Sequence, residues 1–549
     1  MHEQSAANLI YSLGRMRAQW HGSDRGAGGA TVGRVLGRRA CASLSTIAER
    51  NICTMTEQGV CNTLLGLAKM GASWCRLQPR LRYSVSLSLT GVMGSMTPQG
   101  VSNTLWSLSV MGVEWDRDLD EHHHLSQILA DRLCTLALGD SLSNQALATS
   151  IHSLSKMGAC YSSLPTELQR SLESSLAAQG GGMSPLEVSN TVYGLGRMNV
   201  AMRSLSEDVQ GVIFNMTSNT CESMNEQELG STVWGLVGQM GVGYSGLPPD
   251  LGAGLRAAVL RSTLTQPSVV ALLQGLARAR DVTWRDLPSD MKGKFIESVL
   301  SILVGRGGES GEHAAASGSK ERRGDRVLFC SIVLLMFGKL GVRWSSADLL
   351  LQAAPSASSE TDAAIIFDSS PLDIRTAMLD LFEDFASDLQ GGGEPLEGAR
   401  PGRVVSNFFT GFVMAAGSWD ELEPRVQSLL RSCAASSRVL AALNCNELAT
   451  TLWSMGRLGF VLSSLQPGQW QALMQRLETE LPRMTAYEVT WTLWSLGQLS
   501  LPYIAVSEPL RAAVVAALSK QVCSILNLSM RLYYAKCIIT PNPNSCLML

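Results

Sequence analysis

MTPQGVSNTLWSLSVMG, spanning Met96 to Gly112, recurs along the chain with small variations. Related segments are CNTLLGLAKMG (Cys61 to Gly71), LATSIHSLSKMG (Leu147 to Gly158), VSNTVYGLGRM (Val188 to Met198), LGSTVWGLVGQMG (Leu229 to Gly241), LATTLWSMGRLG (Leu448 to Gly459) and VTWTLWSLGQL (Val489 to Leu499). Weaker copies start near Ala7, Val269, Ser331 and Val405. With Asn103 as the register mark, the copies fall at 8, 62, 103, 149, 190, 231, 271, 332, 407, 450 and 491, and the commonest interval is 41. A fixed period of 20 to 50 residues signals a stacked array, because one repeat cannot cover its own apolar face.

The best copies begin with a capping signal: Thr97 before Pro98, Ser184 with Glu187, Asn225 with Glu228, Asn444 with Glu447, and Thr485 with Glu488. Such pairs satisfy the orphan N–H groups of a helix start. They predict a helix A of about four turns that ends at glycines such as Gly71, Gly112, Gly158 and Gly459. A turn with an aromatic follows, as in Trp284 to Pro288. The next segment is amphipathic: Thr166 to Gln179, with Leu168, Leu172 and Leu176 four apart, predicts a helix B. The expected fold is all-α, an α-solenoid of about eleven helix-turn-helix repeats of about 41 residues.

The expected organisation is an N-terminal array over 1–303 with an insertion at 22–37, then a linker over 304–326 and a degenerate repeat over 327–352. An insertion with a short helix over 353–402, a C-terminal array over 403–528 and a tail over 529–549 complete it. The insertions are rich in Gly, Ser and charge, as linkers are. The 549 residues are 45% apolar and 17% charged with a net charge of -3, so overall charge neither demands nor excludes nucleic acid. Thirteen scattered cysteines without a CxxC pair read as small core residues of a reducing compartment. No apolar run approaches the roughly 18 residues of a membrane span. Met1 lies almost inside a repeat helix, which leaves no room for a signal or transit peptide, so the expectation is either a cytosolic protein or an N-terminus that is not the native one. His122, His123 and His124 are adjacent and not at metal-ligand spacing.

A polar pattern runs beside the apolar stripe of Val101, Leu105, Leu108 and Gly112, which is expected to face helix B. In the register of Gln99 stand Gln58, Gln145, Gln227 and Asn446; with Asn103 stand Asn62, Asn190 and Asn407. The Trp106 register holds Tyr11, His152, Tyr193, Trp234, Trp453 and Trp494, and the register of Val110 holds Lys69, Lys156, Arg197, Arg278, Lys339 and Arg457. Amides read base edges, aromatics stack bases and cations neutralise phosphate, the groups used for single-stranded RNA. A structural reading stands beside it: the Asn could bond the next repeat's backbone, the aromatics could be buried between repeats, and a base at a helix end complements its dipole. Ser or Gly in the Ser107 register (Gly66, Ser153, Gly194, Gly235, Gly275, Ser454) is expected to let helices approach closely.

The run from Pro98-Gln99 through Asn103-Thr104-Leu105-Trp106 to Met111-Gly112 resembles the octotricopeptide repeat, and the related heptatricopeptide-type repeats, of organellar RNA-binding proteins. The family's Pro-Pro-x-Trp-like turn survives loosely, as at Leu247-Pro248-Pro249. The resemblance implies sequence-selective binding of single-stranded mRNA or rRNA in a mitochondrion or plastid, acting on RNA stability, processing, translation or rRNA assembly. Ribosomal or RNA-processing proteins are the further partners it implies. No recognisable RAP domain follows the array, so the expectation is a binding protein and not an enzyme, with no cofactor, metal, membrane or small-molecule substrate. Candidate contacts are Gln58, Gln99, Gln145, Gln227, Asn62, Asn103, Asn190, Lys69, Lys156, Arg197, Arg278, Lys339 and Arg457. The same repeat physics also builds HEAT- or armadillo-like protein-interaction scaffolds, which is the competing expectation.

Overall fold

In the computed structural model, the capping signals open helices where the sequence places them. Thr97 accepts a hydrogen bond from the Gly100 N–H at 3.1 Å, with Pro98 at the first helical position. Ser184, Asn225, Asn444 and Thr485 each form the reciprocal capping box with the glutamate three residues on. At the far ends Gly71, Gly112, Gly158 and Gly459 have φ of 76, 76, 79 and 75°. This left-handed conformation turns the chain out of the helix without a Cβ clash. Asn199, φ 60°, takes the same place where the repeat lacks its glycine.

The structure describes residues 2–20, 35–119, 125–139, 141–279, 281–304, 318–344, 374–390, 400–460, 465, 467–499, 507–517 and 519–520. It divides into two units, Met1–Ser298 and Val299–Leu549. Among the described residues there is no β-strand, only an isolated bridge between Gln19 and Val35. In the first unit the A layer is α1 (Glu3–Arg15), α3 (Glu57–Lys69), α5 (Pro98–Val110), α8 (Asn144–Lys156), α10 (Pro185–Arg197), α12 (Glu226–Val233) and α14 (Gln266–Arg278). The B layer is α2 (Arg38–Asn51), α4 (Pro79–Val92), α7 (Leu125–Leu138), α9 (Thr166–Gln179), α11 (Glu207–Thr220) and α13 (Pro249–Arg261), with α6 (Trp115–Asp118) a single turn. Each helix packs on the next of its own layer, which is the arrangement of an α-solenoid. The helix α15 (Ser289–Val304) spans the division between the units.

In the second unit α16 (Gly318–Lys339), α18 (Pro401–Ala416), α21 (Cys445–Leu458) and α23 (Ala486–Gln498) form the A layer. Against them lie α17 (Ile374–Gln390), α19 (Pro424–Ala435), the short α20 (Ser437–Ala442) and α22 (Pro467–Glu480). Two boundaries differ from the expected ones. The helix α16 begins at Gly318, inside the segment expected as linker. The helix expected as part of an insertion is α17, which packs on α16 and α19 and buries Ile374, Met378, Phe382 and Phe385. It serves as the second helix of the degenerate repeat, because its apolar residues recur at helical spacing and Phe382 stacks on Phe408 at 3.7 Å. Most of the 22–37 insertion, His122 to His124 and the 529–549 tail lie outside the described residues.

Three recurrent contacts, two between repeats and one within each repeat, explain the motif. First, small residues bring A helices together: a Cβ at Gly66 would lie 2.5 Å from the Ile10 carbonyl oxygen, and one at Gly235 would lie 2.6 Å from that of Val192. Second, the aromatic turn is stitched to the following repeat by its backbone. The N–H groups of Trp20, Trp74, Trp115 and Tyr161 donate to the carbonyls of Met70, Met111, Met157 and Met198, at 2.8 to 3.0 Å. Third, a buried threonine donates to the sulfur of the methionine eight residues earlier, as Thr63 to Met55, Thr104 to Met96, Thr191 to Met183, Thr232 to Met224 and Thr492 to Met484. Val101, Leu105 and Leu108 are buried as expected, but Gly112 is exposed. The left-handed turn at Gly112 carries it off the stripe. Cys61 fills a small core site, its thiol 3.4 Å from both the Gly100 carbonyl and the Thr104 hydroxyl.

Candidate nucleic-acid interface

The caps and glycine turns fix the rotation of each A helix, so residues of equal register form columns within each unit. Gln58, Gln99, Gln145 and Gln227 are exposed, and their side chains make no hydrogen bond among the described residues. Asn62, Asn103 and Asn190 are half-buried and equally without a side-chain partner among them. They do not bond the neighbouring repeat's backbone, although Asn407 donates to the Ser331 hydroxyl at 3.2 Å.

The aromatic column is half-buried in the first unit, not enclosed between repeats as the structural reading had it. The His152 and Tyr193 ring centres are 5.6 Å apart, and those of Tyr193 and Trp234 are 4.8 Å apart, so three successive helices share one aromatic run. His152 is held near pKa 4 by burial and then by the positive charges of Lys156 and Arg197. Its ring is therefore neutral at physiological pH, and two cations flank it.

The cationic register is exposed at Lys69, Lys156, Arg197 and Arg278 of the first unit and at Lys339 and Arg457 of the second. Three of these side chains lean over the preceding helix. The Lys69 Nζ lies 5.3 Å from the Tyr11 ring centre, and the Arg278 Cζ lies 5.8 Å from that of Trp234. The Arg197 Nε donates to the Ser155 carbonyl at 3.0 Å and its Nη1 to the Tyr193 hydroxyl at 3.2 Å. Attraction to a ring face, or to a carbonyl at a helix end, accounts for the lean. A guanidinium has five N–H donors, so Arg197 keeps three for a ligand.

Ion pairs with carboxylates are few among the described residues. In the B layer, Arg256 pairs with Asp290 at 2.6 Å, and Arg425 with Asp380 at 2.8 Å. Lys69, Arg197, Arg278 and Arg457 of the A layer meet no carboxylate among the described residues. These four cations stand at the C-terminal ends of the A helices, whereas Glu57, Glu187, Glu228, Glu447 and Glu488 stand in the first turns.

Sequence reasoning missed two things here. It passed over Tyr487 and Trp491, which occupy the Gln99 and Asn103 registers in α23, although alignment on the register mark reveals both. It also missed the Met-to-Thr pairing, whose signal was the constant spacing of eight. Among the described residues no helix is long and apolar enough to cross a membrane, and no group of three His, Cys, Asp or Glu could hold a metal ion.

No family model matches the chain, and no curated protein matches it. Among solved structures, it aligns with a homology model of the full-length AP-3 complex in an intermediate open conformation, over 96% of this chain and 96% of that one, at 9% identity and a TM-score of 0.27. A likeness that remote carries no argument about function.

Proposed function

We propose that the chain binds single-stranded RNA sequence-selectively along the A layer and acts in a mitochondrion or plastid on RNA stability, processing, translation or rRNA assembly. The organellar setting comes from the octotricopeptide resemblance. The observation that carries the binding is the set of exposed, unpartnered amides beside an aromatic run and cations that face no carboxylate. Amides offer paired donor and acceptor to a base edge, the half-buried rings offer a stacking face, and the cations meet phosphate.

Binding of a short single-stranded RNA pool, measured by fluorescence anisotropy across a salt series, tests this reading. The triple variant Lys69→Ala, Arg197→Ala, Arg278→Ala weakens binding of all sequences and lowers the magnitude of the salt slope by about 0.7 per lost phosphate contact. Gln99→Ala or Gln145→Ala relaxes preference at one nucleotide and leaves the slope alone. A triple variant with unchanged affinity and slope but a lower melting temperature would reduce these cations to helix-end complements.

A further inference from the structure

Between α21 and α23 the columns change character. Tyr487 and Trp491 stand where other repeats have amides, beside Trp453 and Trp494 of the aromatic column. The Trp453 and Trp491 ring centres are 4.9 Å apart at an interplanar angle of 56°, and those of Tyr487 and Trp491 are 5.3 Å apart at 47°. Rings inclined in this way form the walls of a box. The box is a cleft of about 160 Å³ that Asn446, Thr450 and Glu488 complete. A second cleft shares the Trp453 and Trp491 wall and is bordered by Arg457, Thr490 and Trp494. Tyr487 is 66% exposed and Trp494 41%, so large aromatic surface is left uncovered.

The polar groups select the occupant. Glu488 uses Oε2 to accept from the Thr485 N–H and hydroxyl, at 2.7 and 2.9 Å, which leaves Oε1 for another donor. The Asn446 side chain has no hydrogen-bond partner among the described residues. A carboxylate only accepts. Of the four RNA bases, guanine alone offers two adjacent N–H donors on its Watson–Crick edge; the others place an acceptor beside their donor. Aromatic boxes also hold quaternary ammonium groups. Arg457 beside the shared wall opposes a cation and suits an anionic phosphate.

We propose that the paired clefts between α21 and α23 form a dinucleotide site with guanine in the first. The base stacks against Trp453 and Trp491, with N1–H and the N2 amino group donating to Glu488 and Asn446. The adjoining nucleotide stacks on Trp494, and Arg457 meets the phosphate between them. This rests on the RNA reading above and deepens it, assigning one base to one pair of helices.

The test cross-links the full chain to an RNA octamer carrying a single 6-thioguanosine and, in parallel, to one carrying 4-thiouridine at the same position. The expected thioguanosine adducts lie in peptides containing Trp453 or Trp491, and 5′-GMP competes with them better than 5′-AMP. Trp494→Ala changes an exposed side chain, and Glu488→Gln keeps a capping side chain, so both variants fold. Trp494→Ala weakens the guanine-containing octamer about tenfold, the scale of one lost base–aromatic stack. Glu488→Gln removes the preference for guanine over adenine. Full affinity and unchanged preference in both variants, with adducts elsewhere, overturns the site while RNA binding stands. Efficient competition by tetramethylammonium overturns it in favour of a cationic ligand. Quenching of the chain's tryptophan fluorescence by 5′-GMP over 5′-AMP, in a chain that forms no octamer adducts, keeps the guanine cleft and sinks the RNA reading.

Discussion

The A layer from α3 to α12 and the pair α21 and α23 are built alike and surfaced differently. Both start helices with side-chain caps, bury a threonine against a methionine sulfur and keep small residues where helices touch. Yet in the first region the outward registers hold mostly glutamine and asparagine, with Thr149, Leu186 and Ser231 as exceptions, and in α23 they hold tyrosine and tryptophan. Scaffold and surface therefore occupy separate registers of one helix. The buried positions tolerate little because interiors are close-packed, whereas outward positions are free to vary.

The comparison breaks most sharply at the helix contact. Gly66→Ala drives a methyl group to 2.5 Å from the Ile10 carbonyl oxygen, and the expected cost is about 2–3 kcal/mol, the upper part of the overpacking range. Ser454 already carries a Cβ in the same register, and its hydroxyl bonds the Thr450 carbonyl at 2.8 Å. Ser454→Ala therefore costs about 1 kcal/mol. Urea unfolding with hydrogen exchange on peptides from α1, α3 and α21 measures both, and equal losses would show that close approach does not set the packing of α1 on α3.

The next effect belongs to the first region alone. His152 is held near pKa 4 in the fold, below its ordinary value of about 6.5. Between those values the unfolded chain binds the extra proton, so stability rises with pH there. The contribution is complete above about pH 6.5 and is lost as pH falls toward 4. Allowing for partial exposure, it is about 2 kcal/mol. Melting temperature across pH 4 to 7 should flatten in His152→Tyr, which installs the residue present in that register at Tyr11 and Tyr193.

Caps should be indifferent to region. Thr97→Ala and Asn444→Ala each cost about 1 kcal/mol, seen as faster exchange in the first turns of α5 and α21. A cost confined to one of them would mean that the two stacks are not built on the same rule. Smallest is Thr232→Val, whose hydroxyl bonds only the Met224 sulfur at 3.6 Å. Because thioether sulfur is a weak acceptor, the change should move stability by less than about 0.5 kcal/mol.

Much of the fold was legible before any coordinate. Helix starts at Thr97, Ser184, Asn225, Asn444 and Thr485, glycine exits and the alternation of A and B helices are local chemistry, written in adjacent residues. Less legible was α17, because the degenerate repeat carries only a weak copy of the motif and its second helix lies among Gly- and Ser-rich segments that masked its buried face. Of the candidate interface, the columns could be read from register, but their state could not. Arg197 bonding Ser155, and Lys69 lying over Tyr11, join residues 42 and 58 positions apart.

Sequence by itself determined the period, the all-α class and which residues share a helix face, because caps, turns and helical periodicity are set within a few residues of chain. Tertiary structure decided how the repeats hold one another: the Trp74 N–H on the Met111 carbonyl, the backbone contact at Gly66, the aromatic run from His152 to Trp234, and the box walled by Trp453, Tyr487 and Trp491. Each depends on the offset between neighbouring helices, and that offset is fixed by packing across about forty residues of intervening chain.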